Sequence, residues 1–217
     1  QAEDGIRDRV SCLVGSEMCI RDRAKVLDVG GGHAQLAEPL VKNGFDVTVT
    51  GSDISCRERL FQRIPRVDFE YRTCDLLKLP FKNRSFDVVM AFGLMSHVGQ
   101  WRKLISELLR VANGCVIFDY SDKRSANILY NQFYDVKKRV EGDTRPFHLY
   151  TRSEITAELQ KNGFQKPTVK PQFFWPMVMH RQVNNRRISA LAEGCTRYTG
   201  LTSCFGSPVI IRSNRAQ

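Results

Sequence analysis

The stretch that decides the fold is Val26-Leu27-Asp28-Val29-Gly30-Gly31-Gly32-His33-Ala34, in which an apolar run leads to a carboxylate and then to a glycine-dense loop. Apolar residues at helical spacing follow, from Leu36 to Val41. This order predicts a strand, a tight turn and a helix, which is how a nucleotide-binding α/β unit begins. Glycine permits the turn because it adopts positive φ without strain, and the next helix directs unpaired N–H groups toward the loop.

The spacing of the loop distinguishes two kinds of nucleotide site. A dinucleotide fingerprint has the form G-x-G-x-x-G/A, and its last position must be small so that helix and strand can pack. In this chain that position is Gln35, which is too large, and the loop instead fits D-x-G-x-G-x-A from Asp28 to Ala34. The sequence therefore disfavours a nicotinamide dehydrogenase.

Three later segments follow in the order expected of one sheet. A β-rich run over 46–50 ends near Asp53, 21 positions after the last loop glycine, where an acid can accept hydrogen bonds from both ribose hydroxyls. Residues 69–72 lead to Asp75 as the end of a third strand. Residues 85–92 form a nearly continuous apolar run, which is typical of a strand buried on both faces.

The loop and these strands together resemble class I S-adenosylmethionine (SAM)-dependent methyltransferases. The family's first motif usually ends in Gly where this chain has Ala34, and its fourth strand often begins with a sequence such as Phe86-Asp87-Val88-Val89. The resemblance covers residues 26 to about 98. It implies a Rossmann-like, doubly wound α/β fold with seven strands, mostly parallel with an antiparallel last strand, and helices on both faces.

The resemblance also implies SAM as the cofactor and a binding site at the carboxyl ends of the strands. The residues expected to bind the cofactor are Asp28, Gly30, Gly31, Gly32, His33, Asp53, Ile54, Asp75, Leu76 and Phe92. In the family, the counterpart of Asp28 fastens the glycine loop and helps to hold the methionine moiety, and that of Asp75 faces the adenine amino group. Ile54 and Leu76 would pack on adenine, although both are equally compatible with the protein core.

The rest of the chain predicts the elements that complete the sheet. In order, these are a helix over 101–111 that ends at Asn113-Gly114, a strand over 115–120, a long connection over 121–150, a helix with a capping sequence at 151–154, and strands over 166–174 and 207–212. We therefore predict one methyltransferase domain over 24–217, with helical insertions around 121–150 and 175–205.

The first 23 residues have neither helical nor strand periodicity. The tetrapeptide Ile-Arg-Asp-Arg occurs twice in them, at 6–9 and 20–23, and the stretch resembles a translated short-read sequencing adapter. We expect 1–23 to be a non-native tail, with a natural disordered tail as the alternative. In the family, the residues before the first strand usually form helices that cover the active site, so we expect that cover to be missing.

Composition restricts the class of protein. The chain has 217 residues, of which 42% are hydrophobic, and no apolar run approaches the roughly 20 residues of a membrane span. Seven cysteines are scattered without a C-x-x-C pair or a zinc-like His partner, which indicates free thiols in a reducing compartment, no metal site and a cytoplasmic location. The segment from residue 165 onward has eight basic residues and one acid.

His97 is the candidate catalytic base. It lies in the loop over 93–99, after the fourth strand, where an acceptor must approach, and an imidazole suits proton transfer at neutral pH. The alternative is that His97 caps the following helix or fills a polar gap. His148 and Tyr150 could face the substrate or the surface.

The acceptor is predicted to be a small molecule. Nucleic-acid amino-methyltransferases have an Asn/Asp-Pro-Pro-aromatic element after the fourth strand, whereas this chain has Ala91-Phe92-Gly93-Leu94. The chain looks most similar to the ubiquinone and menaquinone biosynthesis branch. An apolar run over 173–179 next to Arg181, Arg186 and Arg187 suits a lipophilic or anionic substrate, or contact with an acidic membrane surface, with a lid helix as the alternative.

Two other functions stay open at this point. The basic C-terminal quarter is compatible with an RNA or protein methyltransferase, although basic charge without an RNA-binding module is a poor nucleic-acid signal. A noncatalytic SAM-binding scaffold would use the same cofactor residues.

Overall fold

The computed structural model describes residues 23–31, 36–63, 68–125, 148–175 and 186–216. Its strands, in chain order, are β1 (Lys25–Val29), β2 (Asp46–Gly51), β3 (Glu70–Thr73), β4 (Phe86–Ala91), β5 (Ala112–Tyr120), β6 (Thr168–Pro171) and β7 (Val209–Asn214). They form one sheet in the order β3-β2-β1-β4-β5-β7-β6. The pairs among β1 to β5 are parallel, and β7 is antiparallel to both of its neighbours. The predicted seven-stranded mixed sheet is therefore confirmed.

Six α-helices and one short 3-10 helix are found in the described residues. The α-helices are α1 (Ala37–Lys42), α2 (Ile54–Arg63), α3 (Trp101–Val111), α4 (Arg152–Lys161), α5 (Arg186–Tyr198) and α6 (Leu201–Phe205), and the 3-10 helix spans Met95–His97. The predicted capping sequence begins α4, where Thr151 and Glu154 form a reciprocal capping box. No helix of the described residues has the length and apolar character that crossing a bilayer requires.

The core consists of two apolar clusters, one on each face of the sheet. The two faces alternate along the strands, so that Leu27 and Val89 belong to one cluster while Val26 and Val88 belong to the other. Helices α3 and α4 bury their apolar side chains in the first cluster, and α1 and α2 contribute to the second. The sheet therefore has helices on both faces, as predicted.

The predicted boundary between α3 and β5 is wrong. Asn113-Gly114 was expected to end the helix that follows β4, but α3 ends at Val111 and both residues belong to β5. A Cβ atom on Gly114 would lie 2.7 Å from the carbonyl oxygen of Asp87, so this glycine allows the backbones of β4 and β5 to approach closely. The sixth strand is also shorter than the predicted range of 166–174.

The carboxyl ends of six strands, β1 to β6, lie at the same edge of the sheet. Because β7 is antiparallel to both β5 and β6, β6 runs in the same direction as β1 to β5. The chain between the end of β6 and the start of β7 includes α5 and α6, so these helices connect at the same edge. In open α/β sheets ligands bind beyond this edge, so a ligand site is expected here.

Candidate functional site

The loop after β1 is shaped by close contacts around Asp28. Asp28 pairs in register with Val49 of β2, and its side chain is buried. A Cβ atom on Gly31 would lie 2.6 Å from the carboxylate carbon of Asp28 and 2.9 Å from a methyl group of Val49, so only glycine fits. Gly30 has a φ of +76° and donates its N–H to the carbonyl of Thr50 at 2.9 Å. The backbone therefore passes directly over the carboxylate. The predicted residues Gly32 and His33 lie outside the described residues.

Asp53 follows β2 and is exposed at the start of α2. Its Oδ1 accepts the N–H of Ser55 at 3.0 Å, which is the hydrogen bond of a helix N-cap. The carbonyl of Asp53 accepts the hydroxyl of Tyr71 at 2.8 Å, and burial raises the pKa of Tyr71. The hydroxyl of Tyr71 also lies where a side chain on Gly51 would be. The position of Asp53 is thus fixed from both β2 and β3.

The acids after β2 and β3 occupy equivalent positions. Gly51 pairs with Thr73, and Asp53 and Asp75 lie two residues beyond this pair on neighbouring strands. The Oδ1 of Asp75 accepts the N–H of Leu77 at 2.8 Å, so this carboxylate also stabilises its own turn. Both acids therefore follow the carboxyl ends of neighbouring strands, at the predicted edge.

Two apolar side chains were expected to contact adenine. Leu76 is half-buried, and its Cδ1 lies 3.8 Å from where a Cβ atom on Gly30 would be. Ile54, at the start of α2, is 54% exposed. Leu76 therefore lines the glycine loop, and Ile54 is not a core residue.

The loop after β4 is held by a residue that the sequence analysis missed. Phe92 is half-buried and packs on the cluster under α1 and α2, and Gly93 follows it with a φ of +65°. The N–H of Gly93 donates to Asp119 Oδ1 at 2.6 Å, and Asp119 is itself buried near the end of β5. The sequence does contain a signal for Asp119, because this acid lies at the end of an apolar strand, as Asp28 does.

His97 is the last residue of the short 3-10 helix, and hydrogen bonds from two other segments of the chain hold this helix in place. The hydroxyl of Tyr150 donates to the carbonyl of Met95 at 2.8 Å, and Ser96 Oγ donates to Ser121 Oγ at 3.2 Å. The N–H of His148 donates to the carbonyl of Ser96 at 2.9 Å. The side chain of His97 is exposed, as is that of His148. This backbone hydrogen bond brings the segment of His148 beside the segment of His97, although the two segments are far apart in the sequence.

Tyr150 belongs to the core and occupies neither of the two positions that the sequence suggested. Its side chain is buried, whereas the sequence suggested a substrate-facing or surface position. Its ring packs edge-to-face on Trp101 at 5.3 Å between centroids. Burial raises the pKa of Tyr150 to about 12, so the hydroxyl stays a donor at neutral pH. The reason for the error is that an aromatic residue before a helix cap has no periodicity that reports burial.

The described part of the chain contains no group of three or more His, Cys, Asp or Glu side chains able to hold a metal ion. The described arrangement instead offers a glycine loop over a buried carboxylate, two further carboxylates and an exposed imidazole, all at the carboxyl edge of the sheet.

A model of the methyltransferase domain family matches residues 2–168. The chain belongs to this family. The prediction made from the glycine loop is therefore confirmed at the level of the family. Among curated methyltransferases, the chain is 31% identical over 109 residues to a phthiotriol/phenolphthiotriol dimycocerosates methyltransferase of Mycobacterium tuberculosis, over 48% of the chain and 39% of that protein. It is 25% identical over 163 residues to a ubiquinone biosynthesis O-methyltransferase of Azorhizobium caulinodans, over 70% and 63% of the two chains.

Solved methyltransferase structures share the fold. The magnesium protoporphyrin IX methyltransferase of Synechocystis PCC 6803, crystallised with S-adenosylhomocysteine (SAH), superposes with a TM-score of 0.67 at 16% identity. The superposition covers 99% of the present chain and 84% of that one. The chain spans less than two thirds of the length of the curated relatives described above.

Proposed function

We propose that this methyltransferase-domain protein transfers a methyl group from SAM to a small, lipophilic acceptor. The observation that carries the proposal is the glycine loop lying directly over the buried carboxylate of Asp28, with two more carboxylates at the ends of the next strands. At Gly31 the loop leaves no room for a side chain, so that the backbone itself borders the space beyond the strand end.

The described residues fit the cofactor. Gly30 and Gly31 would contact the amino-acid end of SAM, and Asp53 would accept hydrogen bonds from the ribose hydroxyls. Asp75 would face the adenine amino group, with Ile54, Leu76 and Phe92 as its apolar surroundings. The exposure of Ile54 supports this assignment, because an exposed branched side chain beside a carboxylate is what an aromatic base would cover. Gly32 and His33 complete the proposed set.

The bound cofactor would supply a methyl group that is already activated by the sulfonium. The chain then contributes alignment of the acceptor and removal of its proton. We propose His97 as the base for a hydroxyl acceptor, since its exposed side chain lies on a helix fixed by Tyr150 and Ser121. Fixing the helix reduces the number of orientations that the imidazole can adopt relative to the acceptor.

The class of acceptor is inferred from the relatives and from the loop after β4. Relatives with 29–35% identity over part of the chain are named as demethylmenaquinone and ubiquinone/menaquinone methyltransferases. Leu94 and Phe92, which flank Gly93, are only half-buried and offer apolar surface at the same edge. We further propose a cytoplasmic location with peripheral membrane contact. The free, exposed thiols of Cys195 and Cys204 support a reducing compartment.

The test has two steps. Isothermal titration with SAH measures cofactor binding, and labelled SAM is then supplied with hydrophobic quinols, total RNA or protein extract as acceptors. We expect SAH binding and label in the quinol fraction. Label only in RNA or protein would refute the small-molecule acceptor, and SAH binding without any labelled product would identify a noncatalytic scaffold.

The role of His97 is tested with two variants. His97→Ala should lower the rate of methylation at least tenfold while leaving SAH affinity within twofold, because a positioned base contributes about 10²–10⁴ to rate. Gln100→Ala, at a nearby exposed position, is the matched control. Equal rates for His97→Ala and wild type would remove His97 from the catalytic residues.

A further inference from the structure

The helical pair α5–α6 has its polarity reversed relative to an ordinary surface helix. Among the side chains whose burial is described for this pair, the buried ones are polar, namely Ser189, Glu193, Thr196 and Thr202. Four large exposed side chains are apolar or aromatic, namely Leu191, Tyr198, Leu201 and Phe205, and we call these four residues the outer apolar face. Surface helices normally present the opposite arrangement, with the apolar stripe toward the core.

Three of the buried polar side chains, those of Glu193, Thr196 and Thr202, form hydrogen bonds. The carboxylate of Glu193 accepts the N–H groups of Phe174 and Trp175 at 3.1 and 3.0 Å. Thr202 Oγ1 donates to Thr196 Oγ1 at 3.1 Å, which joins the inward sides of the two helices. These bonds fix which side of each helix faces the protein, and therefore which side faces outward.

The outer apolar face has two residues on each helix of the pair. Leu191 and Tyr198 are seven residues apart on α5 and therefore lie on one side of that helix. They are 72% and 94% exposed. Leu201 and Phe205 are four residues apart on α6, and both are exposed. A large apolar surface of this kind on a folded chain indicates an interaction site.

The charge of the helical pair selects the partner. Its sequence contains three basic residues, Arg186, Arg187 and Arg197, and Glu193, its one acid, is buried and bonded to backbone N–H groups. Two copies of this segment would repel each other across a symmetric interface. An anionic lipid surface would attract the basic residues and accept the apolar side chains in its headgroup region.

We propose that the outer apolar face of α5–α6 docks this protein on an anionic lipid bilayer. Because α5 and α6 connect β6 to β7 at the carboxyl edge of the sheet, docking would bring the candidate site toward the membrane surface. The proposal rests on the peripheral membrane contact proposed above and assigns that contact to one surface, which would bind lipid whatever the acceptor is.

The experiment measures binding of the 217-residue chain to vesicles of phosphatidylcholine, with and without 30% phosphatidylglycerol. We expect sedimentation with the anionic vesicles only, and weaker binding as salt is raised. Leu191→Ser and Tyr198→Ser should each lower the partition coefficient at least fivefold without changing net charge. Ala157→Ser, at an exposed position of α4, is the matched control and should bind like wild type.

Three results would overturn the proposal. The first is equal binding of wild type to neutral and anionic vesicles, and the second is full binding by both serine variants. The third is a wild-type dimer in sedimentation equilibrium that Tyr198→Ser dissociates, which would assign the face to a second copy. SAH affinity, measured on the same samples, should be unchanged in all variants, so that failure of docking is distinguishable from failure of the proposed methyl transfer.

Discussion

Replacing Asp53 separates two roles that the structure gives to one carboxylate. As the N-cap of α2 it accepts the N–H of Ser55, and removal of such a cap costs about 1 kcal/mol of folding free energy. As the proposed ribose ligand it would accept two charge-assisted hydrogen bonds, each contributing at least about 1.5 kcal/mol. Asp53→Ala should therefore lower unfolding free energy by about 1 kcal/mol and SAH affinity by about 100-fold.

Asp53→Asn distinguishes the two contributions. Asparagine caps helices about as well as aspartate, so stability should stay within a few tenths of a kcal/mol. The negative charge is lost, however, and SAH affinity should fall about tenfold. Urea unfolding gives the first quantity and isothermal titration the second, with Asp46→Ala at the opposite end of β2 as the control. If Asp53→Ala loses stability but retains wild-type SAH affinity, the carboxylate is only a helix cap and the cofactor assignment is refuted.

Substitutions at three further positions test the arrangement of the site and of the residues that support it. Gly31→Ala should cost about 1–3 kcal/mol in urea unfolding and weaken SAH binding, because the added methyl meets the Asp28 carboxylate; unchanged values would contradict the packing argument. Asp119→Ala should lower methylation more than SAH affinity by releasing Gly93, whereas Asp119→Asn should retain part of the rate; a larger effect on affinity would contradict this role. Burial raises the pKa of Tyr150 to about 12, so its contribution to stability is complete below pH 10 and is lost as the pH rises through 12. Tyr150→Phe should therefore be less stable below pH 10 and show a smaller loss between pH 10 and 12, and parallel pH curves would refute the assignment.

The sheet could be predicted because each parallel strand carries its own signal. Strands buried on both faces are continuously apolar, and those after Val26 and Phe86 were placed within a residue or two of their positions in the structure. The boundary at Asn113-Gly114 was wrong because the pair normally marks a turn, whereas here the glycine is required for close contact between two strands. Local propensity could not reveal a contact made across the sheet.

Only part of the candidate site could be predicted from the sequence. Asp28, Asp53 and Asp75 could be predicted because each lies at or just after the end of a predicted strand, and the sheet then places them at one edge. Asp119 has the same pattern, yet its partner Gly93 is 26 residues away, and nothing local indicates that pairing. The burial of Tyr150 likewise depends on a segment 55 residues earlier in the chain.

The sequence by itself determined the family, the order of the strands along the chain and the glycine loop over an acid, because these depend on periodicity and on the backbone freedom of single residues. Only the tertiary structure decided which side of α5–α6 faces outward. Its polar residues are buried because backbone N–H groups of a distant segment need the carboxylate of Glu193, and this requirement leaves the apolar residues on the surface. A hydrophobic pattern read along one helix would assign the opposite orientation, since it contains no information about unpaired groups elsewhere in the fold.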